Sequence, residues 1–188
     1  MDNFMDYIYR DFHIMQQTYA TLVSVNNKIQ IQTDKYSDNI TSRQYMAILA
    51  IFHLPEDETT LNNIAKKLGT TKQNIKQIIN ILEGKGYVQT MPSKQDKRAI
   101  NVSVTKEGWQ VAESYAEKSF EFFGDIFNDF SVEEMKILWM LLKKLYRFDG
   151  EEQDGFEEDA NPSGELTEEQ IEMAKAFARR RREKYGSK

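Results

Sequence analysis

Residues 60–72 read Thr60-Leu61-Asn62-Asn63-Ile64-Ala65-Lys66-Lys67-Leu68-Gly69-Thr70-Thr71-Lys72, and the reading of the whole chain turns on them. Leu61, Ile64, Ala65 and Leu68 fall at i, i+3, i+4 and i+7, the spacing of one helical face. Thr60 can cap that helix, and Gly69 ends it where the backbone needs a left-handed residue. Thr71 can cap a second helix after a turn too short to be anything but tight. That helix buries Ile75, Ile78, Ile79 and Leu82, again at helical spacing. Its opposite face shows Gln73, Gln77 and Asn80, flanked by Asn74 and Lys76. Two short helices joined by a small turn form the helix-turn-helix pattern, whose second helix enters the DNA major groove.

Gly84 and Gly86 close the second helix. Residues 87–91 then read as a strand, and Ile100, Val102 and Val104 alternate like a second one. Between them runs Pro92-Ser93-Lys94-Gln95-Asp96-Lys97-Arg98, which is polar, mostly basic and turn-prone. A hairpin with a basic tip beside a recognition helix makes a winged helix. Its tip can reach phosphates or the minor groove while the helix reads base edges.

The chemistry follows from residue type. Gln73, Gln77 and Asn74 can bond adenine bidentately, and Lys76 can bond guanine or phosphate. Thr71 and Lys72 open the helix and join this DNA-facing set. Lys94 and Lys97 are candidate phosphate contacts. A polar helix face by itself is more often merely solvated. The turn helix and basic hairpin beside it make base reading the better reading. Arg98 alone could be a surface ion pair with Asp96, worth little energetically.

Leu68-Gly69-Thr70-Thr71-Lys72, Leu82-Glu83-Gly84-Lys85-Gly86-Tyr87-Val88, Asp96-Lys97-Arg98 and Val104-Thr105-Lys106-Glu107-Gly108 together resemble the MarR (multiple antibiotic resistance regulator) family of bacterial transcription factors. The resemblance covers about residues 6–148. It implies that Asp96 shapes the wing and that Arg98 enters the minor groove. It also implies a homodimer in which the first and last helices of two subunits intertwine. The expected function is a repressor on a palindromic operator in double-stranded DNA. In the family, small phenolic or aromatic effectors bind between the dimer helices and the DNA-binding lobe; the sequence does not define such a pocket.

Composition sets the outer bounds. The chain has 188 residues, 40% hydrophobic and 12% aromatic, enough to build a real core. It has no Cys, which removes disulfides, thiol redox sensing and Cys-based zinc sites. No apolar run would span a bilayer, and the N-terminus is acidic, so no membrane association and a cytoplasmic location are expected. The net charge is −5. Residues 149–172 carry eleven acids and no base (−11), and residues 173–188 carry seven bases and one acid (+6), leaving residues 1–148 neutral. A neutral body can still bind phosphate through a local basic patch.

The remaining segments are read in chain order. Met5, Ile8, Phe12, Met15, Tyr19 and Leu22 form a narrow apolar seam on a long helix, suited to packing on other helices. Ser42 is read as the cap of a helix with Tyr45, Ile48, Leu49 and Phe52 inside, stopped before Pro55. Thr105 caps a helix with Trp109, Ala112, Ala116, Phe120, Phe123 and Phe127 on its inner side and Phe130 at its end. Ser131 and Glu134 have capping-box spacing for a helix carrying Ile137, Leu138, Leu141, Leu142 and Leu145, more apolar surface than one monomer helix needs.

The expected organisation is a mainly α fold with a β-hairpin wing. Residues 1–148 would hold the winged helix and its dimerisation helices, 149–165 an acidic flexible linker, and 166–188 a basic terminal helix. In that last helix Thr167 and Gln170 could form a capping box, with Ile171, Ala174 and Ala178 on one line and a basic block from Arg179 to Arg182.

No catalytic triad, phosphate loop or dinucleotide glycine pattern is present, so no enzymatic activity and no cofactor are expected. His13 and His53 have no neighbouring ligands in sequence, so no metal site is expected. The main reading is a sequence-specific transcription regulator. The other is a winged-helix protein-interaction module, in which the charged tail contacts another protein and DNA binding is secondary.

Overall fold

The structure is a computed structural model describing residues 2–36, 39–93, 99–152, 156, 168, 171–172 and 175–179, with the side chains of residues 2–8, 36, 120 and 121 left aside. Its elements are α1 (Asp2–Thr33), α2 (Ser42–Phe52), α3 (Leu61–Lys67), α4 (Lys72–Gly84), β1 (Val88–Pro92), β2 (Ile100–Val104), α5 (Lys106–Ile126) and α6 (Val132–Tyr146). Short 3-10 turns follow α1 (Asp34–Tyr36) and α6 (Arg147–Asp149). This is the mainly helical fold with one antiparallel hairpin that the sequence predicts.

Each helix start from α2 to α6 has a local cause. Thr60, Thr71 and Thr105 accept the backbone N–H of Asn63, Asn74 and Gly108, and Ser131 forms a full capping box with Glu134. At α2 the cap is Thr41 rather than Ser42. Thr41 forms a capping box with Gln44, and the Ser42 N–H instead donates to Asp34 Oδ1 at 2.6 Å. The cap shifts by one residue because Gln44, three positions after Thr41, closes the reciprocal bond.

The core lies between α2, α3, α4, the hairpin and α5. Ile48, Ile64, Ile75, Ile79, Leu82 and Val102 are its largest fully buried side chains. Ile78 is only partly buried, on the flank of the α4 stripe. The hairpin pairs Val88 with Val104 and Thr90 with Val102, and an isolated bridge joins Thr60 to Asn101. β1 begins at Val88 and not at Tyr87, because the Tyr87 N–H closes the end of α4 on the Leu82 carbonyl.

On α5 the inner line is Ala112, Tyr115, Ser119 and Phe122, with Trp109 partly buried. Phe123, expected inside, is exposed, and the adjacent Phe122 takes the buried place. The Phe120 side chain lies outside the described residues. The helix ends at Ile126 with Phe127 as its C-cap, four residues before Phe130, whose N–H bonds the Phe127 carbonyl in the following turn. Aromatic stacks tie α5 to α2: Tyr45 on Tyr115 at 4.1 Å and Phe52 on Trp109 at 4.0 Å between centroids.

Gly108 sits where α5 crosses the end of β1. A Cβ there would overlap the Tyr87 carbonyl oxygen and come within 2.7 Å of Val104 Cγ1. That carbonyl also accepts the Thr105 N–H at 3.0 Å, so the backbone has nowhere to retreat. Gly108→Ala is therefore expected to cost about 1–3 kcal/mol or more as overpacking, read as a lower urea midpoint. Unchanged stability would remove this contact from the account.

Burial, then the Asp34 carboxylate and Tyr45, push the Tyr115 hydroxyl from 10.0 up to about 12, and burial also raises Tyr45. The fold thus favours the neutral phenol. Its contribution is fully present below the unfolded value of 10.0 and is lost as pH rises through about 12. Urea unfolding across that range should show stability falling, and Tyr115→Phe should flatten the fall. An equally steep fall in the variant would place the cause elsewhere.

Candidate nucleic-acid interface

The interface is built outward from α4. Ile75, Ile79 and Leu82 anchor one face in the core, which forces the opposite face into solvent. Thr71, Lys72, Gln73, Asn74, Lys76, Gln77 and Asn80 are all exposed there. The register is held at both ends. At the start, Thr71 caps the helix and the Asn74 side-chain amide donates to Thr70 Oγ1 at 3.1 Å. At the end, Lys85 Nζ donates to the Asn39 carbonyl at 2.7 Å and to Gln44 Oε1 at 3.2 Å. Glu83 accepts both the N–H and hydroxyl of Thr90, at 3.1 and 2.6 Å, fastening the wing to the helix.

The face therefore divides. Gln73 and Gln77 project freely, with amides able to pair with a base edge. Asn74 is engaged with Thr70 and stiffens the turn. Lys72 and Lys76 supply positive charge near the helix N-terminus, whose unpaired N–H groups favour anions. The wing residues Lys94, Asp96, Lys97 and Arg98 lie outside the described residues. The strands bring the ends of that loop together at Ser93 and Ala99, where the Ser93 N–H bonds the Ala99 carbonyl at 3.0 Å.

The structure adds residues that periodicity alone did not single out. Lys66, Thr70, Tyr146, Asp149 and Glu151 line one cleft of about 540 Å³ together with Lys72, which the sequence had already placed in the DNA-facing set. Lys66 and Thr70 could have been suspected from their closeness to the turn. Tyr146, at the end of α6, has no local signal at all.

His13 is exposed on α1, and His53 caps the end of α2 with its ring centroid 5.3 Å from that of Phe156, the two rings nearly perpendicular. Among the described residues no group of His, Cys, Asp or Glu could hold a metal, and no helix is long and apolar enough to cross a membrane.

Loss of one glutamine has a measurable consequence. Gln73→Ala or Gln77→Ala is expected to reduce affinity for a preferred duplex by about 1–3 kcal/mol where the lost contact is bidentate. Preference between single-base variants of that duplex should relax as well. Competition anisotropy measures both, and unchanged preference in both variants would show that α4 is not the reader.

Comparison with known proteins gives a consistent result. Residues 38–99 match a model described as the MarR family. The chain is similar to the HTH-type transcriptional regulator PapX of Escherichia coli, 28% identical over 142 residues, covering 74% of this chain and 84% of that protein. It superposes on the S. aureus MepR–DNA complex with a TM-score of 0.61 at 23% identity, covering 68% of this chain and 94% of that one. CouR from Rhodococcus jostii, bound to p-coumaroyl-CoA, gives 0.60 at 16% identity, covering 67% and 89%. At those identities the structural likeness shows a shared fold.

Proposed function

We propose a function from one premise: the chain belongs to the MarR family of winged-helix transcriptional regulators. It is a sequence-specific DNA-binding regulator and not an enzyme. The finer reading is a homodimeric, ligand-responsive repressor on a palindromic operator. The observation that carries the DNA reading is the split of α4 into a fully buried Ile75-Ile79-Leu82 stripe and an exposed amide-rich face. The MepR–DNA complex shares this fold, which supports placing α4 in the major groove.

Dimerisation is supported by what one chain leaves uncovered. α6 has no buried residue, and Ile137, Leu138, Trp139, Met140, Leu141, Leu142 and Leu145 are all exposed. On α1, Phe12, Met15, Tyr19 and Leu22 of the apolar seam are exposed too. The side chains of Met5 and Ile8 lie outside the described residues. Apolar surface of this extent on two helices is the mark of an interface. A two-fold dimer would set two α4 helices on half-sites about one helical turn apart, which is why a palindrome is expected.

A small aromatic effector would act by preferring one spacing of those helices and shifting its population. CouR, with the same fold, holds p-coumaroyl-CoA, which supports ligand response as a use of this architecture.

Selection from a randomised duplex pool, together with sedimentation of the unbound protein, tests this reading. The expected outcome is a dimer and an enriched palindrome. Leu141→Glu, which places a charge on the exposed α6 face, should give a folded monomer that loses the palindrome preference. A wild-type monomer at micromolar concentration, or no enriched sequence, would overturn it.

A further inference from the structure

The segment after α6 is laid against the helix-turn-helix of its own chain. α6 ends with the Tyr146 ring packed on Gly69, the φ +60° residue of the turn, where an added Cβ would lie 3.0 Å from Tyr146 Cε2. The Tyr146 hydroxyl donates to the Lys66 carbonyl at 3.3 Å. The chain then reverses through Arg147–Asp149 and the left-handed Gly150, whose N–H bonds the Arg147 carbonyl. The Glu151 N–H bonds Asp149 Oδ1 at 3.1 Å, and the Glu151 carboxylate meets Lys66 Nζ at 3.2 Å. Arg147 and Glu152 form a looser pair at 3.8 Å. Farther on, the Phe156 ring lies 5.0 Å from the Lys67 ammonium and edge-on to His53.

These contacts bring carboxylates to the end of α4 that faces phosphate. Asp149 and Glu151 line the same cleft as Lys66, Thr70 and Lys72. Lys72 is the first residue of α4, and Thr70 precedes its cap. Cationic side chains and unpaired N–H groups at a helix N-terminus suit a DNA phosphate. They suit a carboxylate for the same reason.

We propose that residues 149–152 are an internal competitor for DNA: Asp149 and Glu151 occupy the Lys66–Lys72 ledge in place of phosphates. The proposal rests on the DNA-binding reading of α4. The competitor is weak by construction. Lys66 and Glu151 are 67% and 59% exposed, so water screens the pair and a duplex can displace it. Its strength comes from the tether, which keeps the carboxylates at high effective concentration. It comes also from position, since eleven acids and no base fall within residues 149–172. The device raises discrimination, because a duplex offering phosphates alone must overcome the same competitor without gaining base contacts.

Anisotropy of a fluorescein-labelled random-sequence duplex, titrated with the full chain, tests the proposal. The variant is Asp149→Asn, Glu151→Gln and Glu152→Gln combined. Expected is binding about three- to ten-fold tighter than wild type at low ionic strength, the gap closing as salt screens the charges. A control with the same change in net charge far from the ledge (Glu113→Gln, Asp125→Asn, Glu133→Gln) should gain much less. An equal gain in the control would assign the effect to bulk charge and overturn the proposal, as would equal binding by wild type and the ledge variant. Carbodiimide cross-linking supplies a second readout. A Lys66–Glu151 cross-link should form in the free protein and fade on saturation with duplex. Its persistence on saturated DNA would also overturn the proposal. If no protein binds any duplex while the cross-link forms, the DNA-binding reading fails and takes the competitor with it.

Discussion

The constraint on which the rest depends is the burial of one face of α4. Ile75, Ile79 and Leu82 share one core cluster with Ile48, Ile64 and Val102, with essentially no solvent access. Burying each such side chain is worth roughly 1.5–3 kcal/mol relative to exposure. A 13-residue helix is marginal in water by its own hydrogen bonds, so this packing makes it exist and also sets its rotation. Once the apolar stripe is inside, the glutamines have one direction left. The exposed amide-rich face, which we propose reads bases, is a by-product of core packing, held in register by Thr71 at one end and Lys85 at the other.

The hairpin extends that control. Val88 and Val102 are buried, and Glu83 bonds Thr90 across the gap between helix and strand. Gly108 lets α5 begin against the Tyr87 carbonyl, so the long helix leaves the lobe from a fixed point. Tyr45 on Tyr115 and Phe52 on Trp109 then lock its first half to α2. The two strands, α4 and α5 therefore pack on one shared base.

Charge follows a different logic from packing. The net charge of −5 looks adverse for a partner made of phosphate, yet it resides in the tail. The described part of the acidic stretch meets the basic end of α3, with Glu151 on Lys66 and the Phe156 ring beside Lys67. An anionic segment near the surface proposed to face DNA can tune affinity without touching the core, because exposed pairs add little to stability. Farther along, the Phe177 ring lies over Gly124 of α5, where an added Cβ would be 3.3 Å from it. Phe177 is the half-buried residue there, while Ile171 and Ala178 are exposed. Ala174, Thr167 and Gln170 lie outside the described residues.

What the sequence determined by itself was most of what short-range periodicity and caps carry, with the α2 cap, Thr41 in place of the expected Ser42, as an exception. Thr60, Thr71, Thr105 and Ser131 each cap the helix expected of them, Gly69 takes its left-handed turn, and the polar face of α4 is where the 3.6-residue repeat put it. These features depend on neighbours within a few positions, so the linear order contains them. The tertiary structure alone decided which of two adjacent aromatics is buried on α5, because Phe122 and Phe123 differ by one helical step and only the surrounding elements choose between them. It alone set the Tyr146 ring on Gly69 and Glu151 on Lys66. Those pairs are far apart in the chain, and no local pattern encodes a distance that only the path of α5 and α6 can close.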